Sequence, residues 1–75
     1  MAENMDGRYA QLGEAIRTAR TDRGYSQRDL ALMIGHSSSH SYIYRVENGR
    51  VKISLEQLMK IADALDVRVV DLIDF

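Results

Sequence analysis

GYSQRDLALMIGHSSSHSYIYRVENG, residues 24–49, is the stretch on which the fold turns. Its first half carries a helix with both ends marked. Ser26 stands where an N-cap belongs, with a hydroxyl able to accept from a first-turn amide. Asp29, three residues on, can answer the backbone of Ser26 as in a capping box. Leu30, Ala31 and Ile34 fall on one face, and Gly35 stops the run. The second half begins as a Ser/His run that reads like a linker and ends as YIYRVENG. There Ile43 and Val46, three apart, share a helical face, and Asn48-Gly49 closes it.

Outward from this stretch the apolar spacing stays helical. Leu12, Ile16 and Ala19 mark a first helix that ends by Gly24. Ser54 caps SLEQLMKIADAL, where Leu55, Leu58, Ile61, Ala62 and Leu65 form a stripe. The tail VRVVDLIDF is β-branched enough for a strand, yet the spacing of Val69, Leu72 and Ile73 predicts a short helix. Residues 1–7 are expected to be disordered and residues 8–75 to form one domain. The reading is all-α: a compact bundle of four to five short helices. Its second and third helices, brief and joined by a turn that opens on glycine, have the outline of a helix-turn-helix.

The bulk properties narrow the function. A chain of 75 residues without cysteine has no disulfide framework and no thiolate metal site, so its core must come from helix packing or from a partner. It shows no membrane span and no signal pattern, so a cytoplasmic protein is expected. The net charge of −1 hides a strong asymmetry. From Arg8 to Lys52, eight basic residues face four acidic ones; from Ile53 to Phe75, two face five. Such a division marks a basic, anion-facing half and an acidic half.

At this point the residues carry a resemblance. The order RG-x-SQ-x-x-LA (23–31), a glycine four residues after Ala31, apolar-x-x-apolar-Glu-x-Gly (43–49) and Ser-Leu-x-x-Leu (54–58) is that of a known family. It resembles the phage-repressor and Cro-type helix-turn-helix domains, also called the xenobiotic-response-element type. The resemblance covers roughly residues 9–73 and implies a lambda-repressor-like DNA-binding domain. One departure stands out. The family places about six residues between the turn glycine and the buried apolar residue of the third helix, whereas Gly35 to Ile43 is eight. Two residues added inside a helix would rotate everything after them by about 200°. Because the Ile43, Val46 and Glu47 pattern is intact, the extra length belongs to the turn, with Ser38 or Ser39 as N-cap.

The resemblance makes the third helix the recognition helix, with His40, Ser41, Tyr42, Tyr44 and Arg45 at base edges. Arg45 suits guanine, donating two hydrogen bonds to O6 and N7. One tyrosine of the pair is the candidate to fold back into the core. Gln27, Ser39, Asn48, Arg50 and Lys52 are the expected phosphate contacts, and Gln27 stands where the family's glutamine also braces the recognition helix. Glu47 should tie the third helix to a neighbour, with Arg17 as a candidate partner, while at least two of the arginines at 17, 20 and 23 read as a solvated face of the first helix. The expected partner is double-stranded DNA with a palindromic operator, bound by a homodimer through Leu65, Val69, Leu72, Ile73 and Phe75.

Competing chemistries are weak. His36 and His40 sit four apart, but serines and a glycine argue against the helix that would bring them together, and no cysteine or nearby acid completes a metal site. No catalytic residue, cofactor or small-molecule effector domain is expected, since so small a domain offers little room for a protected cleft. The reading is therefore a transcriptional regulator, either a repressor or a restriction-modification or phage controller, and not an enzyme. The alternative is an antitoxin-like module that neutralises a toxin and autoregulates its operator. Only the N-terminal residues and the tail are spare for wrapping a toxin, which favours the regulator.

Overall fold

The computed structural model describes residues 7–35 and 40–75, without the side chain of His40. Among the described residues there are five α-helices and no strand: α1 (Gly7–Asp22), α2 (Gln27–Met33), α3 (His40–Glu47), α4 (Leu55–Leu65) and α5 (Val69–Leu72). The core is drawn from all five. Ile16, Leu30, Ile43, Ile61 and Leu65 are fully buried, and Leu12, Ala31, Ile34, Val46, Leu58, Ala62 and Leu72 close around them. Each such aliphatic side chain contributes about 1.5–3 kcal/mol on leaving water.

Local signals made these elements. Ser26 Oγ accepts from the Asp29 amide at 2.9 Å, and the Ser26 amide donates to Asp29 Oδ2 at 2.9 Å, completing a capping box on α2. Ser54 Oγ caps α4 by accepting from the Gln57 amide at 3.1 Å. The helix α3 ends in a Schellman motif: the Arg50 amide donates to Arg45 O and the Gly49 amide to Val46 O, with Gly49 at φ +72°. The same pattern closes α1, where the Tyr25 and Gly24 amides donate to Arg20 O and Thr21 O.

Several expectations need correction. Leu55, placed on the buried stripe of the fourth helix, is 65 % exposed because it opens α4 in a turn that projects past the core. Leu65 and Leu72, expected between two copies of the chain, lie in the domain's own core, where α4 and α5 close over α1. Of the expected dimer residues, Ile73 and Phe75 are exposed and Val69 is partly buried against the core. The tail is a helix, as its spacing predicts, though only one turn long. Gly7, assigned to the fraying end, already belongs to α1, and residues 1–6 lie outside the described residues.

The close approach of α1 to α3 depends on a missing side chain. A Cβ on Gly13 would fall within 3 Å of the carbonyl oxygens of Val46 and Glu47. On the other side, a Cβ on Gly49 would meet the backbone of Ala10 at 2.8 Å. Backbone cannot swing aside as a flexible side chain can, so α1 sits against the end of α3 because both contacts are glycine. Gly13→Ala is therefore expected to cost about 1–3 kcal/mol by overpacking. Gly7→Ala, with nothing within 4 Å, should leave stability unchanged or raise it. Thermal melts of the two variants check this; equal melting temperatures would contradict the packing described.

Candidate nucleic-acid interface

A buried ionic joint orients α3. Glu47, in its last turn, is 5 % exposed, and Arg20 on α1 is 8 % exposed. Arg20 Nε donates to Glu47 Oε2 at 2.6 Å and Nη2 donates to Oε1 at 3.1 Å, a two-pronged pair. Gln27 Nε2, opening α2, donates to the same Oε1 at 3.1 Å. Arg20 Nη1 also donates to Tyr25 O at 2.8 Å, holding the loop between α1 and α2. One carboxylate thus joins three helices.

The partner of Glu47 is Arg20 and not Arg17, which is exposed and lies 3.6 Å from Glu14. The sequence held the signal. Leu12, Ile16 and Arg20 follow one another at four-residue steps, so Arg20 continues the buried stripe while Arg17 turns about 100° away. Of the three arginines read as a mostly solvated face, Arg17 and Arg23 are exposed and Arg20 is buried. Gln27, expected at the phosphate backbone, turns its amide nitrogen inward to Glu47.

With Ile43, Val46 and Glu47 buried, the opposite face of α3 presents Ser41, Tyr44, Arg45 and Asn48 to solvent. These lie three and four residues apart and form one stripe. Tyr44 is 52 % exposed. Tyr42, expected on the same face, is instead partly buried against the core, so it is the tyrosine that folds back. Burial pushes its phenol above the usual pKa while Arg45 pulls it down, and the hydroxyl remains a donor at neutral pH. Asn48 Nδ2 donates to Tyr44 O at 2.7 Å, which leaves its side-chain oxygen to accept. The expected contact Ser39, the alternative N-cap Ser38 and the side chains of His36 and His40 lie outside the described residues; α3 itself begins at His40.

The cations divide by role. Arg17, Arg23 and Arg68 pair with Glu14, Asp66 and Asp71. Among the described residues, Arg28, Arg45, Arg50, Lys52 and Lys60 are exposed and have no ion-pair partner. Three of these five lie on α3 or in the loop that leaves it. Among the described residues no three His, Asp or Glu side chains gather as a metal site, and no helix is long and apolar enough to cross a membrane.

Two short helices, α2 and α3, packed on each other, with α3 against α1 and a polar stripe facing out, are the arrangement of a helix-turn-helix domain. The helix-turn-helix family HTH_3, of the Cro/C1 type, matches residues 16–72, and the chain belongs to it. The structure is similar to that of the restriction-modification controller protein C.AhdI from Aeromonas hydrophila. The two are 34 % identical with a TM-score of 0.83, over 89 % of this chain and 98 % of that one. It is also similar to the clp gene regulator ClgR from C. glutamicum, 31 % identical with a TM-score of 0.84, over 95 % and 88 % of the two chains. A third similar structure is SinR, a master regulator for biofilm formation, in complex with DNA. It is 34 % identical with a TM-score of 0.72, over 81 % and 95 %. No curated protein matches the chain at a comparable level.

Breaking one side of the buried pair leaves an uncompensated charge, so Arg20→Ala and Glu47→Ala should each destabilise by about 3–5 kcal/mol. The double variant should lose much less than their sum, and Arg17→Ala should change stability by under about 0.5 kcal/mol. Urea unfolding of the four variants tests the joint, which would be refuted by additive Arg20 and Glu47 effects.

Proposed function

We propose that this protein is a sequence-specific double-stranded DNA-binding transcriptional regulator that lays α3 in the major groove and acts as a homodimer. The observation that carries the reading is the outward stripe of α3, Ser41, Tyr44, Arg45 and Asn48, bordered by the unpaired Arg50 and Lys52. A helix of this width fits the major groove of B-form DNA, where each base pair shows a distinct donor and acceptor pattern. Arg45 can donate twice to one guanine, and Ser41 and Tyr44 can donate or accept beside it. His40 joins them by its place in the first turn. Asn48, Arg50 and Lys52 suit phosphates, which position the helix without reading sequence. SinR, a similar structure, is in complex with DNA, and C.AhdI is a restriction-modification controller. Both support the class, as does the family match.

The homodimer rests on a different surface. Arg8, Tyr9, Ile53, Leu55, Ile73 and Phe75 surround an open apolar groove of ≈ 470 Å³ between the start of α1, the start of α4 and the tail. Leu55, Ile73 and Phe75 are 65 %, 40 % and 52 % exposed, more apolar surface than a solitary domain gains by showing to water. A second copy seated there would cover it. Two-fold pairing suits a palindromic operator, with half-sites about one DNA turn apart. The interface proposed is thus Leu55, Ile73 and Phe75 with Val69 at its edge, without Leu65 and Leu72.

Selection of bound duplexes from random DNA, run with a sizing measurement, tests both parts. The expected result is a two-fold-symmetric consensus bound by a dimer. Arg45→Ala should cost about 1–3 kcal/mol on the consensus and relax preference at one base pair per half-site. Leu55→Asp should give folded monomers with weakened binding. Recovery of no consensus would overturn the proposal; an asymmetric consensus bound by a monomer would overturn the dimer alone.

A further inference from the structure

We infer that the flank of α4 facing the end of α2 is a second contact surface between copies of this chain, through which one DNA-bound dimer holds a neighbouring dimer. This rests on the DNA-binding and homodimer readings above and adds a surface that neither uses. Met33, Ile34 and Gly35 at the end of α2 and Lys60, Asp63 and Ala64 of α4 line an open groove of ≈ 680 Å³. Ile34 is buried and Ala64 is partly buried against the core, which makes the base of the groove apolar. Met33 is 47 % exposed, and Leu32, beside it in the last turn of α2, is 52 % exposed. The groove is separate from the one assigned to the homodimer, which Leu55 and Leu58 line. Leu55 and Ala64 are nine residues apart, about two and a half helical turns, and so lie on opposite flanks of α4. This second groove therefore stays open when the dimer forms and points away from it.

The charges of the groove point to its occupant. Lys60 and Asp63 are exposed, three residues apart on one helix, and neither has an ion-pair partner among the described residues. A groove of one sign selects a foreign partner of the opposite sign. A groove carrying both signs within one helical turn is complementary to its own two-fold image. With an axis passing between residues 60 and 63, two α4 helices run antiparallel, and Lys60 of each copy meets Asp63 of the other. Both charges are then answered, twice per contact. The small side chain of Ala64 lets the helices approach, and the flexible thioether of Met33 adapts to the surface that covers it. So small a contact is weak between free dimers. Two dimers already held on one duplex meet at a high effective concentration, and there a weak contact becomes cooperative binding.

The test uses the full chain and duplexes carrying one selected site or two, with the spacing of the pair varied through one helical turn of about 10 base pairs. Band-shift titration separates singly from doubly occupied duplex and gives the ratio of the two affinities. The wild type should bind its second dimer about 5–150-fold more tightly than its first, at one phase of the spacing and not half a turn away. Lys60→Glu and Asp63→Lys should each keep the single-site affinity and the melting temperature and lose the cooperativity. The double variant, Lys60→Glu with Asp63→Lys, should regain it, because the pair is then reversed and self-complementary again. Cooperativity kept by either single variant, or not regained by the double, would overturn the inference. So would a wild type that fills two sites independently at every spacing, the result expected if a different protein covers the groove; single-site binding would then leave the DNA reading intact. A wild type that binds no single-site duplex would overturn the DNA reading itself, and this inference with it.

Discussion

Everything that faces outward on α3 is fixed by a carboxylate that faces inward. Glu47 meets Arg20 from α1 and Gln27 from α2 in a nearly dry setting, so all three helices share one charged joint. Desolvating two charges is costly, and the two-pronged geometry plus the glutamine amide offsets that cost without making the joint a large net source of stability. Its effect is directional. An apolar contact would hold α3 against α1 in several rotations, whereas a forked guanidinium meeting one carboxylate permits few. Gly13 and Gly49 act with it by letting α1 approach until backbone touches backbone. The rotation of α3 so defined puts Ile43 and Val46 in the core and Arg45 in solvent.

The charge division of the chain becomes intelligible on this frame. Acidic side chains in the basic half are mostly engaged: Glu47 with Arg20, Asp29 with Ser26, Glu14 with Arg17. Apart from Asp22 and the backbone-bound Asp29, the exposed charges of that half without an ion pair are cations, and Arg45, Arg50 and Lys52 of these lie on α3 or just after it. The acids of α4 and α5 are distant in sequence from that rim and keep that end of the domain unattractive to phosphate. A net charge near zero is therefore compatible with a strongly polarised molecule.

Much of this was legible in the sequence because it is local. Capping of α2 by Ser26 and Asp29 needs only three residues, and the helical phase of Ile43 and Val46 already separates Arg45 from the core. The family pattern singled out Glu47 as structural. The partner of Glu47 was misread because Arg17 and Arg20 look alike until the buried stripe is followed four residues further. Gln27 was expected both to brace the third helix and to reach the DNA backbone; the brace is present, its amide donating to Glu47 at the end of α3. Tertiary packing moved Leu65 and Leu72 from a surface to the core and Leu55 the other way. Tyr42 and Tyr44 were known to divide between core and surface, and the depth of α3 in the bundle chose Tyr42 for the core.

We propose that α3 reads DNA from the major groove in a two-fold complex. Methylation interference on a selected duplex addresses it most directly, because dimethyl sulfate marks guanine N7 in the major groove and adenine N3 in the minor groove. Methylated guanines should be excluded from the bound fraction in two clusters related by symmetry, centred about 10 base pairs apart. Exclusion confined to adenine N3, or bound DNA as heavily methylated at guanine as free DNA, would contradict the account.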